Sequence, residues 1–197
     1  MKILFFAAAG DNYSERAEEH LKRHFDDVST VRSARFRNES LDEAVTAWRG
    51  DLILHYSSYY RLPQWLLDRA QDGAINFHPS SPSYPGSGGV NWALYNYDTE
   101  YAVTVHIMNA EIDNGPIISV HSLPIFESDT VASLLERTHT LRLAIFCEFI
   151  DDLVQRGSTV DFVQLANEYN GPTWADKTYL INEIDQMQII ASDIEQS

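Results

Sequence analysis

Ile75-Asn76-Phe77-His78-Pro79-Ser80 is the stretch around which the rest of the chain takes shape. It follows a glycine turn, Gly73-Ala74-Ile75, and its apolar lead-in predicts a short buried strand. Side chains alternate faces along a strand, so Asn76 and His78 share one surface. Pro79 cannot donate to a ladder and ends the strand, and Ser80 to Gly86 continues as a loop. An amide and an imidazole therefore stand together at the carboxyl end of a strand, which is where ligands bind in open α/β sheets.

Upstream, residues 2–9 are apolar on both faces, as in a central parallel strand. Ser14 is an N-cap type ahead of a helix from Glu15 to Phe25, and Asp27 to Ala34 reads as a short second strand. Apolar residues at 41, 44, 45 and 48 make a helical stripe, and Asp51 to His55 is a buried strand. Pro63 opens a helix through about Ala70. This β-α-β-α-β-α-β order predicts an α/β fold, a mostly parallel central sheet with helices on both faces. Downstream, Val90 to Tyr95 is a short helix, and strands are expected at Ala102 to Met108 and Ile117 to Leu123. Between these strands lies Asn109-Ala110-Glu111-Ile112-Asp113-Asn114-Gly115-Pro116, dense in turn formers. Ser128-Asp129-Thr130 caps a long amphipathic helix from Val131 to Arg156. A strand from Thr159 to Leu165, a turn at Tyr169 to Trp174 and a final helix complete the reading. Residues 1–157 form one expected domain and 158–197 an extension packing on it or on a dimer partner.

The 197 residues suffice for one domain with a substantial core, and 44% apolar content excludes a disordered chain. A net charge of −15 disfavours a broad nucleic-acid footprint while leaving room for a local basic pocket. A single cysteine, Cys147, in an apolar helical run excludes a disulfide framework within the chain and a zinc ribbon. The N-terminal apolar run is short and leads directly into an acidic segment, so it reads as a strand rather than a signal peptide. No run approaches the ~20 apolar residues of a membrane span, and a cytoplasmic protein is expected.

Asn76, His78 and Asp113 form the candidate catalytic group. If the Asp113 turn folds against the His78 strand, its carboxylate holds the imidazole and favours its protonated form. Such a trio suits acyl transfer to an amine: Asn donates to a developing oxyanion, His exchanges protons and Asp orients His. His106 and His121 match no metal-ligand spacing and read as packing residues, so no metal is expected. His55 ends its strand on the same rim as His78. Gly86-Ser87-Gly88-Gly89 matches neither phosphate-binding fingerprint and reads as a turn. Neither Ser80 nor Ser81 sits in a nucleophile elbow.

At these residues the chain resembles the formyltransferase family that uses 10-formyltetrahydrofolate, whose members include methionyl-tRNA, glycinamide ribonucleotide and nucleotide-sugar N-formyltransferases. The likeness rests on Asn76-Phe77-His78-Pro79-Ser80, the loop from Pro82 to Gly86, and Asp113-Asn114-Gly115-Pro116-Ile117-Ile118. Trp92 to Asn96, Thr104 to Met108, Leu62-Pro63 and Asp129-Thr130 add to it, over residues 51–153. The resemblance implies a Rossmann-like fold, one-carbon transfer, and Asn76, His78 and Asp113 as the catalytic trio. It places the pterin of the cosubstrate 10-formyltetrahydrofolate in a slot between Tyr60-Arg61-Leu62 and the backbone of Ala110 to Asp113, with Ile112 among its walls.

Three departures shape the expected acceptor. The loop Ser81-Pro82-Ser83-Tyr84-Pro85 replaces the family's usual Leu-Leu-Pro, altering the edge of the folate slot. Only 50 residues precede the Asp51 strand, which implies a shortened N-terminal part. Nothing resembles the C-terminal domain with which the tRNA enzymes hold tRNA, and the negative charge opposes tRNA. A small amine, such as an amino sugar on a nucleotide, is the expected acceptor. Hydrolysis of the formylfolate and a non-catalytic binding module are the alternatives.

Overall fold

The computed structural model describes residues 1–34, 41–157, 160–180 and 182–184. Its order is β1 (Lys2–Ala8), α1 (Asn12–His24), β2 (Asp27–Ser33), α2 (Glu43–Ala47), β3 (Gly50–His55), α3 (Gln64–Leu67), β4 (Ala70–His78), α4 (Gly89–Tyr95), β5 (Glu100–Ile107), β6 (Ile117–Pro124), α5 (Val131–Gln155) and α6 (Phe162–Glu168). The strands form one six-stranded sheet, β2-β1-β3-β4-β5-β6. The first four are parallel, and β5 and β6 run antiparallel to their neighbours. The fold is α/β and Rossmann-like.

Alternation in the central strands builds two cores. On the first face, Ile3, Phe5 and Ala7 of β1 join Leu52 and Leu54 of β3, Ile75 and Phe77 of β4, and Leu143, Phe146 and Ile150 of α5. On the second, Leu4, Phe6 and Ile53 meet Val45 and Trp48 at α2 and Leu62, Leu66 and Leu67 around α3. Burial on both faces explains the unbroken apolar run of β1, whereas edge strand β2 is largely half-exposed.

Three expectations need correcting. Asp11, not Ser14, caps α1: its carboxylate accepts from the Ser14 N–H at 2.9 Å, so Ser14 lies inside the first turn. The helix after Pro63 spans only Gln64–Leu67, because Ala70 already belongs to β4. Of the strand expected from Thr159 to Leu165, Thr159 lies outside the described residues and Phe162 to Leu165 belong to helix α6. There Asp161 accepts from the Gln164 N–H, and Phe162 stacks on Phe149 of α5 at 5.7 Å. Capping and one aromatic anchor outweigh the local β-branched content.

The segment after α6 returns to the body of the domain. Ala175 N–H donates to Pro82 O and Tyr179 N–H to Pro85 O, while Tyr179 O accepts from Ser87 N–H. Most of the final helix expected at the C-terminus, including the apolar pair Ile189-Ile190, lies outside the described residues. No described helix is long and apolar enough to cross a membrane.

Candidate active site

Register brings the polar side chains together. His55 ends β3, directly beside Asn76 of β4, and Asn76 faces His106 of β5. Asn76 Oδ1 accepts from His55 Nδ1–H at 2.9 Å, and Asn76 Nδ2 donates to His106 Nε2 at 3.0 Å. The other ring nitrogen of His106 donates to the Ile107 carbonyl, which fixes its tautomer. The amide of Asn76 is thus oriented by an imidazole on each side.

The β5–β6 connection delivers Asp113 to this row. Its backbone is left-handed, φ +43°, a conformation Asp tolerates better than most residues. Asp113 Oδ2 lies 3.4 Å from His78 Nδ1 and accepts from the Gly86 N–H at 2.8 Å; Oδ1 lies 3.5 Å from His106 Nε2 and 3.4 Å from Asn76 Nδ2. Gly86 (φ +105°) must be glycine, since a Cβ there would strike the Tyr179 carbonyl. The divergent loop therefore supplies a backbone donor to Asp113 and is braced by the chain after α6. Trp174 completes the enclosure: its indole meets the His106 ring at 5.0 Å and the His78 ring at 5.9 Å, and its Nε1–H donates to Gly115 O at 2.7 Å.

Burial sets the charge states. It pushes the Asp113 carboxyl up, but His78, His106 and the Gly86 N–H together outweigh it and hold the group below the usual carboxylate range. Burial likewise pushes His55 down, and it pushes His78 down despite the opposing pull of Asp113. Asp113 pulls His78 toward its protonated form, as expected; desolvation is the larger effect, and the resting pair is carboxylate and neutral imidazole. A neutral imidazole beside a carboxylate can accept a proton that the carboxylate then stabilises, which suits transient proton transfer.

A cavity of ≈ 630 Å³ opens over these residues. It straddles the carboxyl edge of the sheet, from Tyr60, Leu62 and Met108, which belong with the second-face core, to Tyr56, which belongs with the first, and to Leu135, His139 and Arg142 of α5. A family model described as Formyl transferase matches residues 7–150. The chain belongs to the formyl transferase family.

The chain is 31% identical over 128 residues to methionyl-tRNA formyltransferase of Pelobacter propionicus, an alignment covering 64% of this chain and 40% of that protein. It thus spans about two fifths of the length of the curated relatives it matches. By fold it is similar to a sugar N-formyltransferase from Shewanella sp. (TM-score 0.68, 19% identity, 93% of this chain and 78% of that one). It is equally similar to the N-formyltransferase of Helicobacter canadensis in complex with folinic acid and dTDP-3-aminofucose (TM-score 0.68, 19% identity, 92% and 72%).

In this member of the family, Asn76, His78, Asp113, Tyr60, Arg61, Leu62, Ala110 and Ile112 all line the same cavity, as does His55. His121 does not line it and bonds to Ser119 on its own strand. His106, read from the sequence as a packing residue, belongs to the site; strand alternation alone did not reveal that it faces Asn76. Trp174 was legible only as part of a turn. Among the described residues, three donors close enough to share a metal ion occur at His20, His24 and Asp151, on the α1–α5 contact rather than in the cavity.

Proposed function

We propose that this formyl transferase moves the formyl group of 10-formyltetrahydrofolate to the amine of a small acceptor, with a nucleotide-linked amino sugar as the leading candidate. The observation that carries the reading is the Asp113 carboxylate, buried between two imidazoles, an amide and a backbone N–H at one wall of a ligand-sized cavity. Folinic acid and dTDP-3-aminofucose, bound together by the Helicobacter canadensis enzyme, support the choice of cosubstrate and acceptor class.

The pterin would lie between Tyr60-Arg61-Leu62 and Ala110 to Ile112, putting the formyl carbon near Asn76 and His78. Attack by the amine forms the new C–N bond and a tetrahedral oxyanion. One Asn76 Nδ2 hydrogen is committed to His106, while the other makes only the 3.4 Å approach to Asp113. That second hydrogen is available to the oxyanion. Neutral His78, whose Nε2–H faces the Tyr84 carbonyl at 3.4 Å, takes the amine proton at Nδ1 beside Asp113 and returns it to N10 of the folate as the C–N10 bond breaks. In this reading residues 1–157 are the catalytic body, and the chain beyond α6 encloses the site through Trp174.

Calorimetric titration with folinic acid, followed by transfer assays with dTDP-3-aminofucose, tests the reading. Wild type should bind folinic acid saturably, and His78→Ala should keep that binding while losing about 10²–10⁴-fold in turnover. Absence of folinic acid binding at millimolar ligand overturns the assignment.

A further inference from the structure

Helix α1 lies along α5, and the seam between them ends in a group of side chains that the proposed chemistry does not use. At its start Tyr13 bonds to Glu136 and Thr140. In the middle Ala17 and Leu21 share a core with Leu143, Phe146 and Ile150. At its far end His20 and His24, one turn apart on one face of α1, meet Asp151 of α5. Both imidazoles aim Nε2 at the same carboxylate oxygen: Oδ1 lies 2.8 Å from His20 and 3.3 Å from His24. The three donor atoms all lie within 4.8 Å of one another. Among the described residues no lysine or arginine pairs with Asp151, so its charge faces only the two imidazoles. His24 is exposed and Asp151 half-exposed, so an ion reaches the group directly from solvent.

We propose that His20, His24 and Asp151 bind a zinc ion, which clamps α1 to α5. Two imidazoles and a carboxylate are zinc donors, and imidazole selects against magnesium and calcium. Tetrahedral zinc at ~2.0–2.1 Å from each donor sets them about 3.3–3.5 Å apart. The His24 contact already has that length. The His20 contact must open by about half an ångström, which a small rotation of the half-exposed Asp151 side chain supplies. Each ring then carries its proton at Nδ1 while Nε2 ligates, and water fills the fourth position. The ion's charge is met by Asp151, lies at the C-terminal turn of α1, where the helix dipole favours cations, and enters a chain of net charge −15. Because the donors come from two helices that only folding brings together, the ion binds the native chain in preference and stabilises it. None of the three residues lines the cavity, so this site is independent of the formyl-transfer reading.

The test titrates the full chain, stripped of metal with a chelator and exchanged into a non-coordinating buffer, with zinc chloride by calorimetry, and follows Tm in parallel. Saturable binding of a single zinc per chain is expected, with no saturable heat from magnesium. Tm should rise by about 5–10 °C at a hundredfold excess of zinc over Kd. His24→Gln keeps an amide N–H that can face Asp151 but offers no metal-binding nitrogen, and Asp151→Asn changes a half-exposed side chain, so both should fold. Each should weaken zinc binding about ten- to a hundredfold or more and remove most of the Tm rise. Cobalt in place of zinc should show visible d–d bands without thiolate charge transfer, since Cys147, one turn before Asp151 on α5, is not among the donors. Absence of saturable zinc binding, magnesium binding as tight as zinc, or a thiolate band overturns the inference. Undiminished binding in both variants also overturns it and moves the ion to other histidines, such as those of the cavity. Zinc that binds and leaves Tm unchanged overturns the clamp, since the unfolded chain would then hold the ion equally well.

Discussion

Asp113 is ionised because its surroundings more than offset its burial, and the same surroundings set how His78 titrates. Protonation of His78 removes the base, so kcat/KM should fall on the acid side with an apparent pKa below the ordinary histidine value of 6.5. Asp113 raises the His78 pKa within that balance. Asp113→Asn, which keeps a residue tolerant of φ > 0, should therefore lower activity about 10²–10³-fold and move the acid limb to still lower pH. A pH–rate profile of wild type and variant checks both; a limb moving toward higher pH would contradict the arrangement. Asn76 and His78 were legible in the sequence because two polar residues at strand spacing interrupt an apolar run. His106 was not, because only the antiparallel register of β5 places it opposite Asn76. Arg142 gives no local signal inside an amphipathic helix that carries other charges, and its place in the cavity wall follows from how α5 packs.

At the scale of elements, the fold was readable wherever a pattern was long. The β1, β3 and β4 strands and the long helix α5 stood out by period and length. Short elements were decided by single contacts: a carboxylate cap at Asp11, another at Asp161, and Phe162 anchored on Phe149. Asp11 and Ser14 are both cap types three residues apart, and only the bond between them shows which one is the cap. Replacing Asp11 by Ala should cost about 1 kcal/mol, a fall in Tm of about 2–4 °C for a domain of this size. Ser14→Ala keeps the capped N–H but removes a buried hydroxyl that accepts from Ala8 N–H and donates to Asp11, so it should cost about as much. The loop before α4 carries a sharper requirement. Gly86→Ala would drive the chain away from Tyr179 and withdraw the backbone donor from Asp113. It should reduce turnover at least tenfold with the α/β circular dichroism spectrum intact, since the displaced segment belongs to neither sheet nor helix.

The whole molecule should be sensitive to mild acid. His55, His78 and His139 are held neutral by burial, His139 down to about 4, so between pH 6.5 and 4 the unfolded chain takes up protons that the native chain refuses. Stability should drop across this window, by about 1.4 kcal/mol per pH unit for each histidine that stays neutral in the native state. Asp113 adds nothing to that slope: its stabilisation is present above the ordinary carboxylate pKa and is lost only as pH falls through its depressed native value. Urea midpoints measured from pH 7 to 4 check the slope, and His139→Gln should flatten it. The formal charge of −15 also weakens toward zero in this range, which favours the compact state. A midpoint that rises steadily on acidification would show charge relief to outweigh the buried imidazoles.

Trp174 leans its indole against both His106 and His78, whereas the other three tryptophans lie elsewhere: Trp48 beside α2, Trp65 on α3 and Trp92 on α4. Imidazolium quenches indole emission far more strongly than neutral imidazole does. The chain therefore carries its own optical gauge of proton occupancy, with Trp174→Phe as the blank. Light emitted from this one ring would follow, in real time and without a label, each proton that reaches the reacting centre.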